Sequence, residues 1–187
     1  MADRLAGLRA ACEPAHRALE SGGVFARILA PDVGLADYRR LLYAWQGFLA
    51  GAEPALVAAL ARHGLMPAYL PRLPRLEADL VAMGWTREAP SPAPAGLDSR
   101  GRALGLLYVL EGSALGRQVI ARHLARTLGP AVAGAMRFLS ATPESPLHWR
   151  ACCALLDSAL DTSQAVEDAT AIALWAFATL RQAGSST

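Results

Sequence analysis

Apolar residues recur every three or four positions along most of the chain, and the alternation of β-branched residues that builds strands is nearly absent. That pattern predicts an all-α fold. Leu5, Leu8, Cys12, Ala15 and Leu19 mark a first helix, which Pro14 is expected to interrupt or restart, because an interior proline removes a hydrogen bond and clashes with the preceding turn. Leu35, Tyr38, Leu41, Leu42, Trp45 and Leu49 predict a second helix. Pro54, suited to a first turn, opens a third that stops at Gly64. Leu73, Leu76 and Leu80 give a fourth, ending at Gly84, and the proline-rich stretch 89–96 is a linker between helices. Asp98 is placed to cap a long fifth segment running to Gly129-Pro130. Ser145-Pro146 opens a helix through Leu160, and Asp161 with Gln164 has the spacing of a capping box for a last helix ending near Gly184. The tail, 185–187, is expected to fray.

The 187 residues are 53% hydrophobic and 18% charged, a balance that predicts one domain over 1–187 with a sizeable core rather than a disordered chain. The longest uncharged runs, Leu41–Ala52 and Ala169–Leu180, fall short of the ~20 apolar residues of a membrane-spanning helix. No membrane partner is expected. Mixed polar and apolar sequence follows Met1 without the apolar core of a secretory signal, which predicts a cytoplasmic address. All eighteen cations are arginine, the net charge is +2, and the arginines are scattered, so nucleic acid is not an expected partner. Cys12 and the adjacent Cys152-Cys153 lack the number and spacing of a disulfide framework or a metal knuckle and read as small apolar residues.

Two features are candidates for chemistry. Gly101, Gly105, Gly112 and Gly116 fall within an arc of about 60° on the fifth segment, which strips one stripe of a helix of side chains. Such a stripe admits a closely packed neighbouring helix, a kink, or a flat ligand. His16 lies seven residues after Arg9 and four before Glu20, so the three share one helix face. A carboxylate one turn away can fix the imidazole tautomer and leave the other nitrogen for a metal; an ordinary helical ion pair gives the same spacing. His63, His123 and His148 show no metal-ligand spacing and read as surface residues. No nucleophile elbow, phosphate loop or dinucleotide fingerprint occurs. One histidine facing a bare stripe on another helix suits a planar macrocycle held edge-in between helices.

The segment Leu107-Tyr-Val-Leu-Glu-Gly-Ser-Ala-Leu-Gly116-Arg-Gln-Val-Ile120 resembles the distal helix of the heme oxygenase family, in particular its compact, bacteriophytochrome-associated bacterial branch. Leu8-Arg-Ala-Ala-Cys-Glu-Pro-Ala-His16-Arg-Ala-Leu-Glu20 is similar to that family's proximal helix, and weaker likeness covers Leu73–Gly84, Trp149 and the final helix. The resemblance implies a single-domain helical bundle with a kinked glycine-rich distal helix. It implies that His16 is the iron ligand, Glu20 its carboxylate acceptor, and Arg9 a cation for a heme propionate. Cys12 would stand near the macrocycle. Gly112, Ser113 and Gly116 would form the catalytic distal face, with Tyr108 and Leu115 also against heme. Heme would be cofactor and substrate, opened with oxygen and external electrons to biliverdin, carbon monoxide and iron. The implied partners are an electron-donating reductase or ferredoxin and a bacteriophytochrome as biliverdin acceptor.

Three positions depart from the family pattern. Ser113 stands where many members carry a distal aspartate. Arg117 replaces a glycine and, by helical geometry, points about 120° away from the Gly112/Gly116 direction, so it is expected to miss the heme. No basic residue near the C-terminus clearly matches the propionate position; Arg150 and Arg181 are the candidates. The alternatives are a non-catalytic heme carrier or sensor on the same fold and a helical protein without heme.

Overall fold

The computed structural model describes residues 4–65, 69–86, 89–140 and 145–186. Seven α-helices and one short 3-10 turn make up the described regular structure: α1 (Arg4–Glu20), α2 (Gly23–Arg27), α3 (Leu35–Arg62), α4 (Leu73–Ala82), α5 (Arg100–Thr127), the turn Gly129–Val132, α6 (Ser145–Ala159) and α7 (Ser163–Ser186). No strand occurs among the described residues, as the periodicity predicts.

The prolines behave differently from expectation. Pro14 lies inside α1 and Pro54 inside α3, so the expected second and third helices are one helix of 28 residues. Both prolines are exposed. The carbonyl four residues earlier that loses its donor belongs to Ala10 or Ala50, neither of them buried, so water can replace the missing bond. Around Pro54 the buried Ala52, Glu53, Leu56 and Leu60 hold the helix on course. The glycine stops are as expected: Gly64 and Gly84 each take φ near +67°, where a side chain is strained.

Helix caps fall one residue from the expected ones. Ser99, rather than Asp98, caps α5, its Oγ accepting from Arg102 N at 3.4 Å. Thr162 Oγ1 accepts from Ala165 N at 3.1 Å at the start of α7, whereas Gln164 turns to Asp168. Ser99 also donates to the Asp168 carboxylate, and this bond, followed by that of Gln164, holds the Asp168 carboxyl below its usual range. At the other end, Ser185 and Ser186 remain helical, with Ser185 Oγ donating to Arg181 O; Thr187 lies outside the described residues.

Close packing of α5 on α7 accounts for half of the glycine stripe. A Cβ on Gly101 would sit 2.6 Å from Ala165 O, and one on Gly105 would strike the backbone at Ala169. These two glycines let the helices approach through their first turns. Further along α5 the stripe leaves α7, and there the bundle opens. Buried polar groups fix the neighbouring segments: the Glu53 carboxylate accepts from Arg72 N at 2.7 Å and Leu73 N at 3.0 Å and from the Tyr69 hydroxyl. The fully buried Asp79 likewise accepts from Arg137 N and Phe138 N, tying α4 to the chain after α5.

Candidate functional site

Where α5 leaves α7, a cavity of about 570 Å³ opens, within the range that holds small ligands and cofactors. Its α1 wall carries Arg9, Cys12, His16, Leu19 and Glu20; its α5 wall carries Tyr108, Val109, Gly112, Ser113 and Gly116. Phe25, Trp45, Trp149 and Phe177 supply aromatic surface. The lining is mostly apolar, with a few polar groups that converge, which suits a large flat molecule bearing charged substituents.

The α1 wall follows from helical spacing. His16 is half-exposed; its Nδ1 lies 3.6 Å from Glu20 Oε2, and its ring meets the edge of Phe177 at 5.6 Å between centroids. With Nδ1 turned to the carboxylate, Nε2 is the nitrogen available to a ligand. Cys12, one turn earlier, is buried, and burial pushes its thiol up to about 11. At neutral pH it is a neutral thiol. The imidazole is therefore the better iron ligand on this wall, because a cysteine binds iron as the thiolate. Arg9 extends toward α6, its Nη2 3.4 Å from Cys153 Sγ.

On the α5 wall, a Cβ at Gly112 would meet only the ring of Trp149 at 3.6 Å, and one at Gly116 would meet nothing within 4 Å. These glycines face open space, unlike Gly101 and Gly105. A single sequence stripe thus divides into a packing seam and a bare ligand-facing patch. Ser113 Oγ donates to Leu110 O at 2.7 Å, so its proton is held by the helix while its lone pairs stay able to accept from water. Burial, the main cause, raises the Tyr108 hydroxyl above its usual range.

Several expectations are corrected here. Leu115 is 62% exposed and does not line the cavity; it stands about 80° around α5 from the mean direction of Gly112 and Gly116. Arg150 and Arg181 lie on the exposed surface and line no part of it. The guanidiniums that do are Arg9 and Arg117. Arg117 turns toward Phe138, as the helical angle predicts, yet it is buried and borders the cavity rather than missing it. His148 is half-buried, with Nε2 3.2 Å from Glu111 Oε1, and His123 is half-buried with Nε2 3.0 Å from Ala30 O. His63 is half-buried at the end of α3. Motif spacing within one helix could not reveal His148, because its partner stands on another helix. The same holds for the aromatic walls, whose members lie on α2, α3, α6 and α7.

A heme oxygenase from Xanthomonas campestris pv. campestris is 37% identical to this chain over 144 residues, covering 75% of this chain and 84% of that protein. A solved structure of the NO- and CO-bound heme oxygenase of Neisseria meningitidis superposes with a TM-score of 0.75 at 23% identity, covering 98% of this chain and 93% of that one, and shares the fold. No protein-family model matches the chain. The sequence likeness extends over most of both proteins and is accompanied by the same helical architecture: the chain belongs to the heme oxygenase family.

Proposed function

We propose that the cavity between α1 and α5 binds heme as substrate and cofactor, and that the chain opens it to biliverdin, carbon monoxide and iron. The observation that carries this reading is the placement of His16 and of the unobstructed Gly112 and Gly116 on two walls of one porphyrin-sized cavity. When bound, heme supplies the iron that activates oxygen and the ring that is cleaved.

The chain's own contribution is orientation. Glu20, its carboxylate 3.6 Å from His16 Nδ1, favours a proton on that nitrogen, and His16 would hold the iron through Nε2. Gly112 and Gly116 let helix backbone approach the other face, so that no side chain screens the ring edge from attack. Ser113 offers acceptor lone pairs to water on that face, a serine taking the place of the more common aspartate. Arg9, at the cavity margin, suits a propionate. Apolar walls from Trp45, Trp149 and Phe177 keep bulk water from the remainder of the ring.

The electrons come from an external reductase or ferredoxin. Exposed Leu29 and Val119 beside Arg122 and Arg126 form an apolar, basic surface next to the cavity that suits an acidic donor protein. The likeness to the phytochrome-associated branch supports a bacteriophytochrome as acceptor of the product. Three free cysteines, two of them adjacent, suit a reducing, cytoplasmic compartment; among the described residues no helix is long and apolar enough to cross a membrane.

Hemin added to the purified chain should give a Soret band that His16→Ala weakens or shifts and that added imidazole restores in the variant. Ascorbate in air should then convert the native complex to a biliverdin spectrum. A Soret band stable under reductant and oxygen would identify a heme carrier instead, and no spectral change with hemin would overturn heme binding altogether.

A further inference from the structure

Arg117 is 7% exposed, and no carboxylate among the described residues pairs with it. Its Nη1 donates to Phe138 O at 2.5 Å and its guanidinium lies 5.0 Å from the centre of the Phe138 ring, while Nε has no hydrogen-bond partner among the described residues. A buried N–H left in this condition is costly unless something accepts from it. Arg117 also lines a second cavity, of about 200 Å³, shared with Arg72, Arg75, Glu111, Ala114 and His148.

Among the described residues, charge in that second cavity does not balance. Glu111 is the one carboxylate among the described lining residues: Oε2 accepts from Arg72 Nη2 at 2.7 Å, and Oε1 lies 3.2 Å from His148 Nε2 without a hydrogen bond between them. Among the described residues, Arg75 reaches a backbone oxygen, Ser140 O, at 3.2 Å. Among the described residues, three guanidiniums line a small space with one carboxylate. Burial first, and Arg72 next, push the Arg117 guanidinium down to about 9.

We propose that this second cavity is a binding site for a small planar anion of the carboxylate class, of formate or bicarbonate size, which accepts from Arg117 Nε and takes Arg75 as its second cation. A forked guanidinium suits a planar oxyanion, and the volume is too small for a porphyrin. The site does not depend on heme turnover, and its test does not read turnover.

The test follows the Arg117 Nε–Hε cross-peak of the ¹⁵N-labelled full chain, assigned through its loss in Arg117→Lys, during titration with sodium formate. Ionic strength is held with gluconate, a bulkier carboxylate. The expected result is a saturable shift with a Kd on the order of millimolar. Arg75→Gln should weaken it roughly fivefold or more by removing one charge-assisted contact. Ala114→Met, which fills the cavity and keeps all three arginines, should abolish it, with the native far-UV spectrum as the check on folding. Repeating the titration with gallium protoporphyrin bound separates a free anion from a propionate. An unchanged response supports the site, whereas loss of the response would mean that a porphyrin carboxylate is the partner. No saturable shift, or equal shifts in native and Ala114→Met chains, would overturn the proposal.

Discussion

Cys12 and His16 sit one turn apart on the same cavity wall, and their environments give them opposite uses. Burial keeps Cys12 a neutral thiol, so at pH 8 only about one part in a thousand is thiolate. Iodoacetamide at pH 8 should therefore alkylate the half-exposed Cys153 well before Cys12 or Cys152, the latter pushed up to about 12 by burial. Mass spectrometry of the labelled peptides reads this, and the Cys12 rate should rise about tenfold per pH unit toward pH 11. Equal labelling at pH 8 would show Cys12 open to solvent. Arg117 poses a different problem. Its folded pKa lies below the ordinary guanidinium range, so burial of the charge is a cost, present at every pH below about 9 and relieved as pH rises beyond it. Arg117→Met removes that cost and keeps the side chain over Phe138, so it should raise stability by ~1–4 kcal/mol at pH 7 in anion-poor buffer. The advantage over the native chain should shrink above pH 9 in urea melts. A large loss of stability at pH 7 would show that the bond to Phe138 O outweighs the desolvation.

Helix α5 carries two kinds of glycine in one stripe, and nothing in its sequence separates them. The separation comes from where α7 runs: Ala165 and Ala169 press on Gly101 and Gly105, while Gly112 and Gly116 look into the cavity. Alanine at the two ends should act with opposite sign. Gly105→Ala forces α5 and α7 apart and should cost ~1–3 kcal/mol or more, whereas Gly116→Ala should stabilise the hemin-free chain by about 0.5–1 kcal/mol through helix propensity. Chemical denaturation compares them directly. Equal effects would mean that the seam and the open patch are not distinct. Gly116→Leu, which fills the face, should weaken hemin binding by roughly tenfold or more. Proline shows the same limit on what a helix reveals in isolation. Pro14 and Pro54 are read as boundaries because the rule concerns lost bonds, but each stands on an exposed face where water can serve the orphaned carbonyl. Burial, which decides the matter, is a property of the assembled bundle.

At the scale of the molecule, periodicity alone carries the all-helical architecture, and two short segments carry the family. The walls that come from α1 and α5 were legible because each is a run of residues on one helix: Arg9, Cys12, His16 and Glu20 on one, Tyr108, Gly112, Ser113 and Gly116 on the other. Trp45 and Phe177 were not, because helices distant in sequence bring them together, and Trp149 was marked only by the family likeness, not as a cavity wall. The Glu111, Arg72 and His148 cluster escaped for the same reason, each member standing on a different segment. Leu115 was misplaced because a contiguous motif includes residues from every side of its helix, and only one side faces the cavity. His16 and the bare α5 face line one cavity. The most direct test of this site is the absorption spectrum of the hemin-loaded chain under ascorbate and air, in native and His16→Ala forms. The native complex should lose its Soret band as biliverdin absorption grows, and the variant should show a perturbed Soret band with little or no biliverdin formed. Equal spectra and equal turnover in the two proteins would contradict the assignment of His16 and with it the site.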